Sequence, residues 1–248
     1  MKKMCVLVLF LFFIAPATAE HLETNANFVI MNINEGDEAT YSISFINTGE
    51  SKEFEISIES KIDFFKLDKE RIFVENSGEG KFNLVFDKTD LFPGVYVGKL
   101  SVLNDVDAKE IPVILEIESG RKVFDVTVDK LQTANTNGNK ELNFYIKVYN
   151  LGANANDIEI DYNLVGVSGE DIFSDSENIF VESQLEFTKS FPFSADLSDD
   201  NYVFYALVKQ DDSVGTGFVL FSNSKNVESP NKLKESYFKP KFFISDSI

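Results

Sequence analysis

A single histidine, His21, and a single cysteine, Cys5, are all that the chain offers for imidazole or thiol chemistry. A serine nucleophile needs a base beside it, and Cys–His chemistry needs both partners in a folded site. Neither constellation can be assembled here, and zinc held by His or Cys is excluded on the same count. Asp and Glu together number 41, so a carboxylate pair at glycosidase spacing arises by chance and carries no signal. The chain is therefore expected not to be an enzyme. Calcium is the chemical alternative, because it takes hard oxygen ligands. Three clusters supply them: Asn104, Asp105 and Asp107; Asn156, Asp157, Glu159 and Asp161; Asp196, Asp199 and Asp200. None has the regular Asp-x-Asp-x-Asp-Gly loop. Acids in solvated turns account for all three, so no cofactor is expected.

Other residues could bind without reacting. Tyr145 and Tyr149 alternate with Phe144, Ile146 and Val148, which places them on the outward face of a strand. Such a stripe could touch a partner or a sugar, although the absence of Trp weakens the sugar reading. The candidate partner-binding residues are Tyr237, Phe238, Phe242, Phe243 and Ile244, in the segment YFKPKFFI at 237–244. From Ser224 onward five lysines face three acids (Glu228, Glu235 and Asp246), a mildly basic stretch on a very acidic chain. These residues could add as a strand to a sheet edge of this molecule or a neighbour. The other reading of residues 223–248 is an extended or disordered tail.

Residues 1–19 read as a signal peptide. Lys2 and Lys3 precede the apolar run Cys5–Ile14, and Ala17-Thr18-Ala19 supplies the small-residue cleavage pattern. The run is about half of the roughly 20 residues that span a bilayer. Cleavage removes Cys5, leaving a mature chain without disulfides, held together by burial alone. It also removes two lysines, taking the formal charge from −18 to −20. That surface repels phosphate backbones and anionic headgroups. Nucleic acid is excluded as a partner, no stable membrane span is expected in the mature chain, and the location is extracytoplasmic, secreted or at the cell surface.

Period-two alternation dominates the mature chain. Tyr41, Ile43 and Phe45 alternate with polar neighbours, as do Phe54, Ile56 and Ile58; Phe82, Leu84 and Phe86; and Ile111, Val113, Leu115 and Ile117. Turn-rich breaks separate them: NEGDE at 34–38, NTGES at 47–51, NSGEG at 76–80 and FPG at 92–94. Pro93-Gly94 is read as a turn that uses the positive φ open to glycine. No stretch has a helical period. The fold class is all-β, with two tandem Ig-like antiparallel β-sandwiches at 24–118 and 123–222. Two landmarks recur in order: Asn47-Thr48-Gly49 precedes FPGVYVGKLSV, and Asn150-Leu151-Gly152 precedes DDNYVFYALV. Their near-equal separations argue for one fold used twice. The five residues 118–122 between the halves permit a hinge.

The first half, through FINTGE, LDKERIFVENSGEGKFNLVFD, LFPGVYVGKLSV and IPVILEI, resembles Hydin-like and major-sperm-protein-like sandwiches and the NEW-type domains of surface proteins. The second half, through VYNLGAN and DNYVFYALV, is similar to CARDB-type, cell-adhesion-related domains; Asp200-Asn201 stand where that family has a glycine before the tyrosine. The resemblance implies an extracellular spacer, adhesion or protein-binding module whose partners are cell-envelope proteins. Two alternatives remain open. One is a two-domain assembly chaperone resembling those of pilus systems, with Arg121 and Lys122 as a basic pair for a client's carboxylate. The other is an accessory module of a surface glycosidase complex.

Overall fold

The computed structural model describes residues 22–86, 91–131, 134–136, 139–152, 156–193 and 201–222. They form strands without helices, so no described helix is long and apolar enough to cross a membrane. The first half contains β1 (Leu22–Thr24), β2 (Val29–Asn34), β3 (Ala39–Asn47), β4 (Lys52–Ser60), β5 (Lys66–Leu67), β6 (Arg71–Val74), β7 (Glu79–Phe86), β8 (Gly94–Leu103) and β9 (Ala108–Glu118). The second contains β10 (Phe124–Lys130), β11 (Ala134–Thr136), β12 (Asn139–Asn150), β13 (Asn156–Gly166), β14 (Asp171–Val181), β15 (Gln184–Phe193), β16 (Asn201–Gln210) and β17 (Ser213–Ser222).

Four sheets result. Sheet I runs β1-β3-β7-β5 and sheet II runs β2-β9-β8-β4-β6. Sheet III runs β14-β13-β16-β17; in sheet IV, β12 pairs β10 and β11 as well as β15. Every described ladder is antiparallel except β2 with β9. The pairings repeat between halves: β3–β7 corresponds to β12–β15, β4–β6 to β13–β14, β4–β8 to β13–β16, and β8–β9 to β16–β17.

The alternation seen in the sequence fills two cores. Ile43, Phe45, Phe54, Phe82, Leu84, Leu100 and Leu115 meet between sheets I and II. Phe45 lies edge-on to Phe54, with ring centroids 5.0 Å apart. Between sheets III and IV, Phe144 stacks on Phe204 at 3.8 Å, within a group that includes Ile146, Ile160, Tyr162 and Phe191. Gly98 leaves space for Phe64, since a Cβ there would stand 3.3 Å from that ring and 3.1 Å from a backbone oxygen. This is the packing role expected of a small residue inside a strand.

A third core joins the halves. Val95 and Val97 on β8 and Ile114 on β9 leave the outer face of sheet II and are buried against Val165 on β13 and Val203 on β16. Tyr205, Leu207, Phe218 and Leu220 surround them. Each fully buried aliphatic side chain contributes about 1.5–3 kcal/mol, so this contact outweighs a few surface polar bonds. The join is also pinned. Ser213 Oγ donates to the Arg121 carbonyl at 2.8 Å, Glu35 N–H to that of Glu118 at 2.9 Å, and Leu151 N–H to that of Val123 at 2.8 Å. The hinge expected at 118–122 is therefore replaced by a docked junction.

One turn reading also changes. Gly94 opens β8 and is not among the described residues with positive φ, which are Gly36, Gly169, Ser77 and Asp211. The Asn-x-Gly pairs hold no positive-φ residue and are organised by side-chain hydrogen bonds. Asn47 Oδ1 accepts from Gly49 N–H at 3.0 Å, while its Nδ2 donates to the carbonyls of Glu50 (2.7 Å), Val74 (3.3 Å) and Glu75 (3.3 Å). Asn150 does the same: Oδ1 accepts from Gly152 N–H at 2.9 Å, and Nδ2 donates to Val181 (3.4 Å) and Glu182 (3.1 Å). In both halves one amide side chain ties a strand end to the next hairpin.

Candidate functional site: the open flank of the second sandwich

The two sides of the second sandwich differ. On one, β10 of sheet IV lies so close to β17 of sheet III that a Cβ on Gly217 would stand 2.7 Å from the Val126 carbonyl oxygen. That side is closed. On the other, the chain turns at 182–183 and divides: among the described residues, β14 pairs only with β13, and β15 only with β12. Two edge strands of ten residues or more thus border one opening.

The register shows which side chains point into it. Phe173, Asp175, Glu177 and Ile179 are paired with Leu164, Tyr162, Ile160 and Ile158, so they share the inward face of sheet III. Lys189 sits opposite Phe144 between Phe187 and Phe191, on the inward face of sheet IV. It reaches across to Asp175 Oδ2 at 3.0 Å and Glu177 Oε1 at 3.1 Å, with its ammonium 4.6 Å from the centroid of the Tyr162 ring. Tyr162 donates its hydroxyl to Glu177 Oε1 at 2.6 Å.

The local partners set each ionisation state. The Lys189 hydrogen bond holds the Asp175 carboxyl below its ordinary range. Burial works against the Lys189 charge, but its bonds to Asp175 and Glu177 outweigh burial and raise its pKa. Burial, then the Glu177 carboxylate, pushes the Tyr162 phenol up. The cluster is one ammonium against two carboxylates, all hydrogen-bonded, with a residual negative charge. It closes an edge electrostatically and offers no freed nucleophile or base.

A second polar group lies where the halves meet. Glu116 on β9 accepts from Thr216 Oγ1 on β17 at 2.5 Å and from Asn32 Nδ2 on β2 at 2.8 Å. The same Asn32 amide donates to Glu118 at 3.1 Å. Desolvation raises the Glu116 pKa, Thr216 opposing it and Glu118 adding to it.

The residues singled out in the sequence are distributed widely. Tyr237, Phe238, Phe242, Phe243 and Ile244 lie outside the described residues, as do His21 and the Asp196, Asp199, Asp200 cluster. Tyr145 and Tyr149 stand on the outward face of sheet IV, half-buried. Tyr145 bonds Glu186, and the Lys147 ammonium lies 4.6 Å from the centroid of the Tyr149 ring. Tyr205 belongs to the third core, and burial pushes its pKa up to about 12. Asn104 Oδ1 caps the backbone of Val106 and Asp107, each at 2.7 Å, while Asp105 pairs with Lys52 at 2.9 Å. Asp157, Glu159 and Asp161 alternate along β13, where Asp161 bonds Lys209. No three His, Cys, Asp or Glu side chains converge on a metal position among the described residues. Lys189 was missed in the sequence, although QLEFTKSFPF places it in the apolar register with Leu185, Phe187 and Phe191.

No family model matches the chain, and no curated protein matches it. Solved structures do. A Porphyromonas gingivalis protein of unknown function is 13% identical, at a TM-score of 0.44, covering 80% of this chain and 100% of its own. The CupB2 chaperone of Pseudomonas aeruginosa is 13% identical at 0.35, covering 81% and 100%. A PapD-like domain of human CEP192 is 11% identical at 0.37, covering 48% and 100%. The strand pairings by themselves define the class here, an all-β protein of antiparallel sandwiches.

Proposed function

We propose that the chain is a non-enzymatic, exported binding or spacer module of the cell envelope, made of two Ig-like sandwiches acting as one body. The observation that carries this reading is the third core, which uses the outer faces of sheets II and III to fix one half upon the other. A polar network that prepares a reaction leaves a group unsatisfied or poised; the flank and junction networks are closed on themselves. The paired Asn47 and Asn150 clamps support the resemblance to NEW-type, Hydin-like and CARDB-type modules. The assembly-chaperone alternative needs its basic pair free for a client, whereas Lys122 is engaged by Glu118 at 3.5 Å and Asp125 at 3.2 Å.

The test is made on the protein from its own cells. N-terminal sequencing should begin near Glu20, and a membrane-impermeant amine reagent should label it on intact cells. Protein that keeps Lys2 and Lys3 and is labelled only after lysis would end the reading.

A further inference from the structure

We propose that the docking of the two halves is proton-linked through Glu116: the junction holds most tightly in acid, and it opens more often as Glu116 ionises. Glu116 lies two residues beyond Ile114 on the same outer face of β9, at the rim of the third core. Docking surrounds it with neutral groups. From the second half, β17 brings the Thr216 hydroxyl to 2.5 Å, and Leu207 on β16 stands opposite Thr216. From the first half, β8 sets Val95 beside Glu116, and β2 gives the Asn32 amide at 2.8 Å.

Charge compensation is short at this seam. The Asn32 Nδ2 is shared with a second carboxylate, Glu118, at 3.1 Å. Lys122, the cation that acts on Glu116, is bonded to Glu118 at 3.5 Å and Asp125 at 3.2 Å instead. Three carboxylates thus stand against one ammonium.

That geometry sets the sign. Docking takes water from Glu116 and returns one hydroxyl from the second half, so the docked state resists the charge more than the undocked state does. Desolvation is the largest influence on Glu116 and raises its pKa; Thr216 opposes it, Glu118 adds to it, and Lys122 and Asn32 oppose it. The docked form therefore holds its proton more tightly. Docking is strongest below the ordinary value of 4.5 and weakens as pH rises through the docked pKa. The apolar contacts of the third core keep the halves together throughout, and only the frequency of opening changes.

The third core also supplies the reporter. The chain from Glu20 contains every described residue and no cysteine, and Val203 is fully buried between the halves. Val203→Cys places one thiol where dithiodipyridine reaches it only on opening. Val148→Cys, inside the second sandwich core, reports unfolding instead. Each rate is divided by that of the urea-unfolded chain at the same pH. From about pH 4 to about pH 8, opening at position 203 should rise relative to the same protein carrying Glu116→Gln, and then level off. Thr216→Val should enlarge the rise, because it removes the donor that the second half gives the ionised carboxylate. Lys61 bonds Asp171 across the same seam, but it is common to all the variants and cancels. A ratio to Glu116→Gln that stays constant with pH would overturn the proposal and leave the one-body reading standing. An equal rise at position 148 would also overturn it, since the sandwich itself would then be unfolding. Reaction at position 203 as fast as in the unfolded chain at every pH would end both the proposal and the one-body reading.

Discussion

Asn47 and Asn150 show how much one side chain can organise. Each supplies an acceptor to a glycine N–H and donors to the carbonyls of a second hairpin. Asn47→Ala should lower stability by about 1–3 kcal/mol, because Asn47 is buried and its loss leaves buried and half-buried backbone groups unsatisfied; denaturant unfolding would measure it, and Asn47→Asp should recover only the Gly49 bond. Glu116 permits a pH prediction. Its pKa is raised above the ordinary 4.5, so the folded protein holds the proton more tightly than the unfolded chain. Its contribution is then greatest below that value and is lost as pH rises through the folded pKa. Glu116→Gln should remove this loss, so the urea midpoint of the variant relative to wild type should climb from about pH 4 to about pH 7. A constant difference would show that the carboxyl does not titrate within the junction.

At the scale of strands, the core-facing sets were legible because alternation has a fixed period. Ile111, Val113, Leu115 and Ile117 are all buried, as are Leu142, Phe144, Ile146 and Val148. The other faces were not legible in the same way. Val95, Val97 and Ile114 occupy what the period marks as outward positions, and nothing local says that a second sheet covers them. Lys189 was hidden for a related reason: its partners come from another strand, and only the register between sheets brings them together. Ile114→Ala should therefore cost about 2–5 kcal/mol despite lying outside both sandwich cores. The isolated halves, residues 20–120 and 121–224, should each unfold cooperatively but at lower midpoints than in the intact chain. Equal midpoints would show that the third core contributes nothing. Gly169 offers a sharper probe of the same contact. Its φ is 86°, and a Cβ would stand 3.0 Å from the Lys61 nitrogen in the opposite half. Gly169→Ala should cost about 1–2 kcal/mol from the left-handed backbone and weaken the docking besides, which calorimetry of the whole chain would separate into two transitions.

For the molecule as a whole, sheets I, II, III and IV lie in that order, with one core in each of the three gaps. Sheets pack about 10 Å apart, so the outermost two are separated by about 30 Å. A pair of Ig-like modules strung end to end would bend at its joint and lengthen under tension. This pair would do neither. A pull between Leu22 on β1, in the first sheet, and Ser222 on β17, in the third, loads the β1–β3 and β16–β17 ladders and is carried between them across two apolar gaps. Those gaps give way only when many small contacts break together. As a mechanical part, the described body is a brick in a wall more than a link in a chain.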